Sequence, residues 1–255
     1  MVKRFEVFYP LANGTSEKRT AYVYLPESYQ HHPERRYPVL YMFDGHNVFF
    51  DSDATYGKCW GMQEYMDKTK TDMIIAAIEC NHHPNNGRLE EYSPFTFRAD
   101  CCGYVAGRGK NTMEWMVNTF KRIIDSNYRT LPDRAHTYIA GSSMGGLMSL
   151  YALMEYNHVF SKAAALSPSL WTSPVELHSM ISTAPFLQDT VLYMDYGSEE
   201  MKYHRAMGRI FGDITSLLIQ KGVCVESRIV PGGEHSEASW EKQLGFFMRT
   251  LFYKA

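Results

Sequence analysis

The segment 72–80, DMIIAAIEC, carries a run of apolar side chains without the alternation that a solvated face would impose. A strand written this way is buried on both sides, so other elements must cover both faces of its sheet. The chain supplies such elements. NTMEWMVNTFKRIIDSNY (111–128) has apolar residues at helical spacing, and SEASWEKQLGFFMRTLFYK (236–254) is amphipathic. Short apolar runs at 135–142, 162–168 and 189–198 alternate with helix-like stretches, and VCVESRIVPGG (223–233) reads as a last strand. Ahead of them, 4–10, 19–26 and 37–45 read as strands separated by the turn-rich LANGTSEK and SYQHHPERR, as in antiparallel hairpins. Antiparallel strands followed by strand–helix alternation predict an α/β fold. Its central sheet is mostly parallel, with antiparallel N-terminal strands and helices on both faces. No repeat or linker interrupts the chain, so one domain over 1–255 is expected.

Composition narrows the function classes. The net charge is −2, and no block of Lys or Arg stands out, which argues against nucleic acid or an anionic membrane as partner. The N-terminal MVKRFEVFYP has no long apolar stretch, and no run approaches the ~18 residues of a membrane span. The five cysteines form no C-x-x-C pair, and two are adjacent, Cys101 and Cys102, which argues against a disulfide framework and a cysteine-type zinc site. A reducing, cytoplasmic setting is therefore expected. H-E-x-x-H is absent and His82-His83 precede a proline on a polar loop, so neither metal nor cofactor is expected.

The chemistry concentrates in YIAGSSMGGLMSLYAL, 138–153. G-x-S-x-G occurs as Gly141-Ser142-Ser143-Met144-Gly145, with a buried-strand pattern before it and a helical pattern after it. A serine at a sharp strand-to-helix turn needs small neighbours, because larger side chains would collide with the turn. Ser143 is then the candidate nucleophile, and the Met144 amide points at the same spot. The bland alternative is a glycine-rich structural turn. A neutral hydroxyl needs a base. With the chain order serine, acid, histidine, His235 in VPGGEHSEASW follows the last strand and is preferred among ten histidines. The acid should follow the strand before it. VLYMDYGSEEM offers Asp195, Glu199 and Glu200, and Glu200 is the expected one. It would hold the His235 tautomer and stabilise the imidazolium. A second oxyanion donor is expected from the Asp44-Gly45-His46-Asn47 turn, at the His46 amide, although Asp-Gly is also an ordinary turn.

YPVLYMFDGHNVF, GRLEEYSP, YIAGSSMGGLMSLYAL, ALSPSLWTSP, MDYGSEE and PGGEHSEASW, in this order through most of the chain, resemble the "putative esterase" family of α/β hydrolases. That family spans enterochelin-type siderophore esterases, feruloyl and acetylxylan esterases, S-formylglutathione hydrolases and mycolyltransferases. The resemblance implies the α/β-hydrolase fold, with the nucleophile on Ser143, the histidine on His235, the acid on Glu200 through GSEE, and the second donor at His46. Two adjacent glutamates depart from the family pattern by leaving the acid one residue ambiguous. The arrangement is similar to short, leaderless cytoplasmic members.

Trp60, Arg88, Tyr92, Phe95, Trp171 and Trp240 are candidates to line the substrate pocket, although aromatics also dominate cores. Arg88 would hold Glu90, Glu91 or a substrate carboxylate. The expected function is a serine carboxylic-ester hydrolase working through a Ser-Glu-His triad and an acyl-enzyme on small or aromatic acyl esters. An acyltransferase on the same triad and a non-catalytic binding protein of the same fold are the rival readings. The partner expected is a small-molecule ester, and homo-oligomerisation is left open. The irregular stretch 81–110 has the length of a functional loop.

Overall fold

The computed structural model describes residues 1–11 and 14–252. Part of the turn expected at 11–18 and the end of the helix expected at 236–254 fall outside those residues. Eight strands form the main sheet: β1 (Val2–Pro10), β2 (Ser16–Tyr24), β3 (Val39–Met42), β4 (Ile74–Ile78), β7 (Thr137–Ser142), β8 (Lys162–Leu166), β9 (Val191–Gly197) and β10 (Cys224–Val230). Two more, β5 (Phe97–Ala99) and β6 (Gly103–Val105), pair as a separate hairpin. The order across the main sheet is β1-β2-β4-β3-β7-β8-β9-β10. β2 runs antiparallel to β1 and to β4, and every pair from β4 to β10 is parallel. This is the α/β-hydrolase fold, as expected from the sequence.

The third early strand departs from expectation. β3 does not form a hairpin with β2. It pairs parallel with β4 and β7, Leu40 facing both Ile75 and Tyr138, while β4 takes the edge of β2. The connection 43–73 carries the helix Met62–Thr69 and is long enough for a crossover, which a parallel pair requires.

All five residues of β4 are buried, as its unbroken apolar run demands. Successive residues feed two cores. Tyr41, Ile74, Ala76 and Ile139 join one; Leu40, Met42, Ile75 and Ala140 join the other. The helices Met144–Glu155 and Met207–Gln220 cover the first face through Leu147, Leu150, Ile214 and Leu218. The segments Gly109–Trp115, Met116–Phe120 and Lys121–Asn127, continuous in sequence, cover it too, through Met113 and Phe120. Met62–Thr69 and Leu244–Leu251 cover the second through Met66 and Phe247. The alanines of β8, Lys162–Leu166, keep the sheet surface low beneath Met144–Glu155. A Cβ at Gly146 of that helix would meet the Leu166 carbonyl oxygen at 2.9 Å. The stretch 81–110 is not structureless. It holds the short helix Gly87–Glu91 and the β5–β6 hairpin.

Candidate active site

The parallel strands end on one side of the sheet, and the loops leaving their carboxyl ends carry the residues singled out above. Ligands of open parallel sheets bind at that edge. β7 runs directly into Met144–Glu155 through Ser143, whose backbone sits at φ 58°, ψ −122°. Such a conformation is costly for a residue with a Cβ and persists only where surroundings impose it. Here the Ser143 amide donates to the Leu166 carbonyl at 2.9 Å, and its carbonyl accepts from Leu147 and Ser169 at 3.0 and 3.1 Å. The turn is tight enough that a Cβ on Gly141 would stand 2.6 Å from the Gly145 backbone. A Cβ on Gly145 would stand 3.0 Å from Phe43 Cβ. Gly141 is therefore a steric requirement, whereas a side chain at Gly145 would have to displace Phe43 and Asp44 slightly. Ser143 itself is half-exposed, whereas Ser142 and Ser149 are buried, the latter donating to the Gly145 carbonyl at 2.9 Å.

The loops after β9 and β10 close against each other. Glu199 N–H donates to the Gly233 carbonyl at 3.0 Å and Gly232 N–H to Ser198 Oγ at 2.9 Å. This contact brings His235 Nδ1 to 2.6 Å from Glu200 Oε2. The other carboxylate oxygen, Oε1, accepts from Ser167 Oγ at 2.6 Å and from the Gly197 amide at 3.0 Å. Trp240 Nε1 donates to the same Ser167 hydroxyl at 3.0 Å, and the Trp240 ring lies edge-on to His235 with centroids 5.1 Å apart. Glu200 is buried while His235 is half-exposed, so a buried carboxylate holds an imidazole that reaches the surface of the cleft.

The alternative acids go elsewhere. Glu199 pairs with Lys202 on the outside. Asp195 is buried within β9 and accepts from Tyr193 OH at 2.8 Å and the Ser167 amide at 3.1 Å. Burial pushes its carboxyl up to about 7, against those two hydrogen bonds. A raised acid holds its proton in the folded protein where the unfolded chain, with an ordinary pKa of about 3.9, has lost it. Stability therefore falls as pH rises from about 4 to 7. Asp195→Asn removes that penalty and keeps an acceptor for the Ser167 amide. The melting temperature of the variant relative to the parent should climb steadily across this window; a constant difference would refute the buried-acid account.

After β3 the chain turns sharply at Asp44 (φ 55°) into Gly45–Asn47. A Cβ at Gly45 would meet the Ile78 backbone at 2.9 Å, so the turn lies flat on the end of β4. Arg88 grips the Asp44 carboxylate with two bonds of 2.7 Å. Burial alone would raise the Asp44 pKa, but the guanidinium outweighs it and holds the carboxyl below its usual range. Arg88 is thus paired with Asp44 and not with Glu90 or Glu91; Glu91 is held instead by Arg19, with two bonds of 2.9 Å. Tyr92 is also corrected. It is buried against Phe43, and its hydroxyl accepts from the Asp44 amide at 3.2 Å. Trp60 is likewise a core residue, its ring 6.0 Å from Trp240 and 6.2 Å from Phe247. Both rings are buried in the cores, Tyr92 on one face of the sheet and Trp60 on the other, which aromatic composition does not encode.

Two cavities meet at Ser143 and His235, which line both. One, of about 390 Å³, is walled by Trp171, Tyr196, Tyr203 and His204, with Glu200 and Ser167 at its base. Trp171 and His204 stack at 5.5 Å and 12°. The other, of about 510 Å³, is walled by His46, Asn81, His82, Arg88, Glu237 and Trp240. Trp171 and Trp240 thus reach the cleft, as does Arg88, while Phe95 packs half-buried against the core. Ser167, Tyr203 and His204 were not anticipated. Ser167 lies just after β8, in ALSPSLW, and a hydroxyl at a strand's carboxyl end was the signal available.

A family model described as "Putative esterase" matches residues 12–246. The chain belongs to this family. It is an esterase. Its sequence is 25% identical over 202 residues to "Uncharacterized protein YbbA" of Bacillus subtilis (strain 168), covering 78% of this chain and 76% of that one. Its fold is similar to that of an IroE-like serine hydrolase from Shewanella oneidensis, with TM-score 0.76 and 20% identity over 98% of this chain and 79% of the other. It is also similar to a ferulic acid esterase, with TM-score 0.70 and 20% identity over 99% and 96% of the two chains. Among the described residues of the esterase, no helix is long and apolar enough to cross a membrane.

Proposed function

We propose that the protein hydrolyses carboxylic esters through Ser143, His235 and Glu200, by way of an acyl-enzyme, within a single domain. The observation that carries this reading is the 2.6 Å contact of His235 Nδ1 with buried Glu200, on a histidine that lines the same two cavities as Ser143. With Nδ1–H donated to Glu200, His235 Nε2 is left with a lone pair and serves as general base. It takes the proton of Ser143 as Oγ attacks the ester carbonyl. The oxyanion is met by the backbone amides of Met144, at the start of its helix, and His46; losing one such donor typically costs roughly 3–4 kcal/mol of barrier. Imidazolium then protonates the leaving alcohol, and water repeats the sequence to release the acid.

The Trp171–His204 stack and the nearby tyrosines favour a small or aromatic acyl group in the first cavity. The likeness to a ferulic acid esterase agrees with an aryl ester. Arg88 and Asp44 act indirectly, pinning the turn that carries His46. A fluorophosphonate tests the reading: one label should add to the folded protein, and peptide mapping should place it on Ser143. A protein that stays unlabelled, or that is labelled at another serine, would overturn it.

A further inference from the structure

The second cavity holds a cluster that ester hydrolysis does not use. His46, Cys80 and His82 place one donor atom each within 4.8 Å of one another. They come from two loops, the turn after β3 and the residues just past β4, which the parallel pairing of those strands sets side by side. His46 is 5% exposed, and its Nδ1 is buried without a hydrogen-bond partner. An orphaned ring nitrogen at that depth normally costs stability unless something occupies it. Its other nitrogen, Nε2, lies 3.1 Å from Thr55 Oγ1. If Nε2 carries the proton and donates it to Thr55, Nδ1 presents a lone pair, the arrangement by which outer hydrogen bonds orient metal-bound histidines. The ring of His82 stands edge-on to His46 with centroids 4.7 Å apart, and His82 is exposed and free to adjust.

We propose that His46 Nδ1, Cys80 Sγ and His82 form a zinc-binding site on the wall of the second cavity, and that its occupancy inhibits hydrolysis. Two imidazoles and a thiolate are a donor set suited to zinc, which takes nitrogen at about 2.0–2.1 Å and sulfur at about 2.3 Å. At the tetrahedral angle those bond lengths put donors about 3.3–3.6 Å apart. The present spread therefore closes by roughly an ångström, a movement the exposed His82 can supply. Zinc displaces the Cys80 thiol proton to solvent. All three donors belong to residues that line the cavity shared with Ser143 and His235. The inhibitory half rests on the proposed roles of Ser143 and His235, because a metal ion and its remaining ligand occupy part of the cavity that those two residues also line.

The test uses the full chain with Cys101→Ser, Cys102→Ser and Cys224→Ser, which removes the exposed or half-buried thiols. Titration with Co²⁺ should give a thiolate-to-cobalt charge-transfer absorption that saturates at one ion per chain and is displaced by Zn²⁺. Cys80→Ala should abolish the band, and His82→Ala should weaken binding at least tenfold. Zn²⁺ should then slow hydrolysis of a p-nitrophenyl ester at least tenfold in this background, while the rate of Cys80→Ala should be the same with and without zinc. An absent band, or one that survives Cys80→Ala, overturns the site. A Cys80-dependent band with a zinc-insensitive rate overturns the inhibition alone. Should the chain prove inactive on every ester, the cobalt spectrum still decides the site, and the inhibitory half falls with the catalytic reading.

Discussion

Ser143→Ala should lower kcat/KM for a short-chain p-nitrophenyl ester by roughly 10⁴-fold or more, the scale seen when a serine nucleophile is removed. The fold should be untouched. Alanine keeps the Cβ, so the positive φ is neither relieved nor worsened, and the lost oxygen belongs to a half-exposed side chain. An unfolding free energy from urea titration within about 0.5 kcal/mol of the parent is expected. The two neighbouring serines serve as controls. Ser149 is buried in its helix and donates to the Gly145 carbonyl, and Ser142 is the buried last residue of β7. Substituting alanine at either should alter stability more than chemistry. A Ser143→Ala protein within tenfold of the parent rate would end the nucleophile assignment, whatever happens at the controls.

The sharp turn at Ser143 was legible in the sequence because its requirements are local. A strand pattern, two glycines around a serine and a helix pattern all lie within sixteen residues, and the backbone at Ser143 has the conformation those glycines permit. β4 was legible for a similar reason, since burial on both faces is written into five consecutive residues. The placement of β3 was not, because the choice of neighbour is made across the sheet by the 43–73 crossover and not by the turn preceding the strand. Arg88 illustrates the same limit. Its charge announced a partner, but the nearest carboxylates in sequence, Glu90 and Glu91, lost to Asp44, which a different loop delivers. The His46–Cys80–His82 group escaped notice for that reason too: only the β3–β4 pairing joins its halves. Glu199 and Glu200 were separable only in space. Adjacent residues on a helical turn point about 100° apart, and the contact between the β9 and β10 loops determines which of them faces His235.

Glu200→Gln should cost roughly 10³–10⁴-fold in kcat, far more than the loss of one surface charge, and the hydrogen-bond network explains why. Indole nitrogen can only donate, so Ser167 Oγ accepts from Trp240 and must give its own proton to Glu200 Oε1. Gly197 N–H donates to the same oxygen. Glutamine at this position has to present its carbonyl to these two donors, which turns its NH₂ toward His235 Nδ1. The imidazole then answers with the lone pair on Nδ1 and the proton on Nε2, the tautomer unable to accept from Ser143. The loss should therefore appear in kcat with KM little changed, because the cleft keeps its shape. Glu199→Gln, which breaks only an exposed pair with Lys202, should stay within about threefold of the parent, as exposed ion pairs contribute little. Asp195→Asn should likewise leave kcat nearly intact at pH 7, since its hydrogen bonds go to Tyr193 and the Ser167 amide and not to the imidazole. If Glu199→Gln were the crippled variant and Glu200→Gln the active one, the tautomer argument would fail, and with it the assignment of Glu200 as the residue that orients His235.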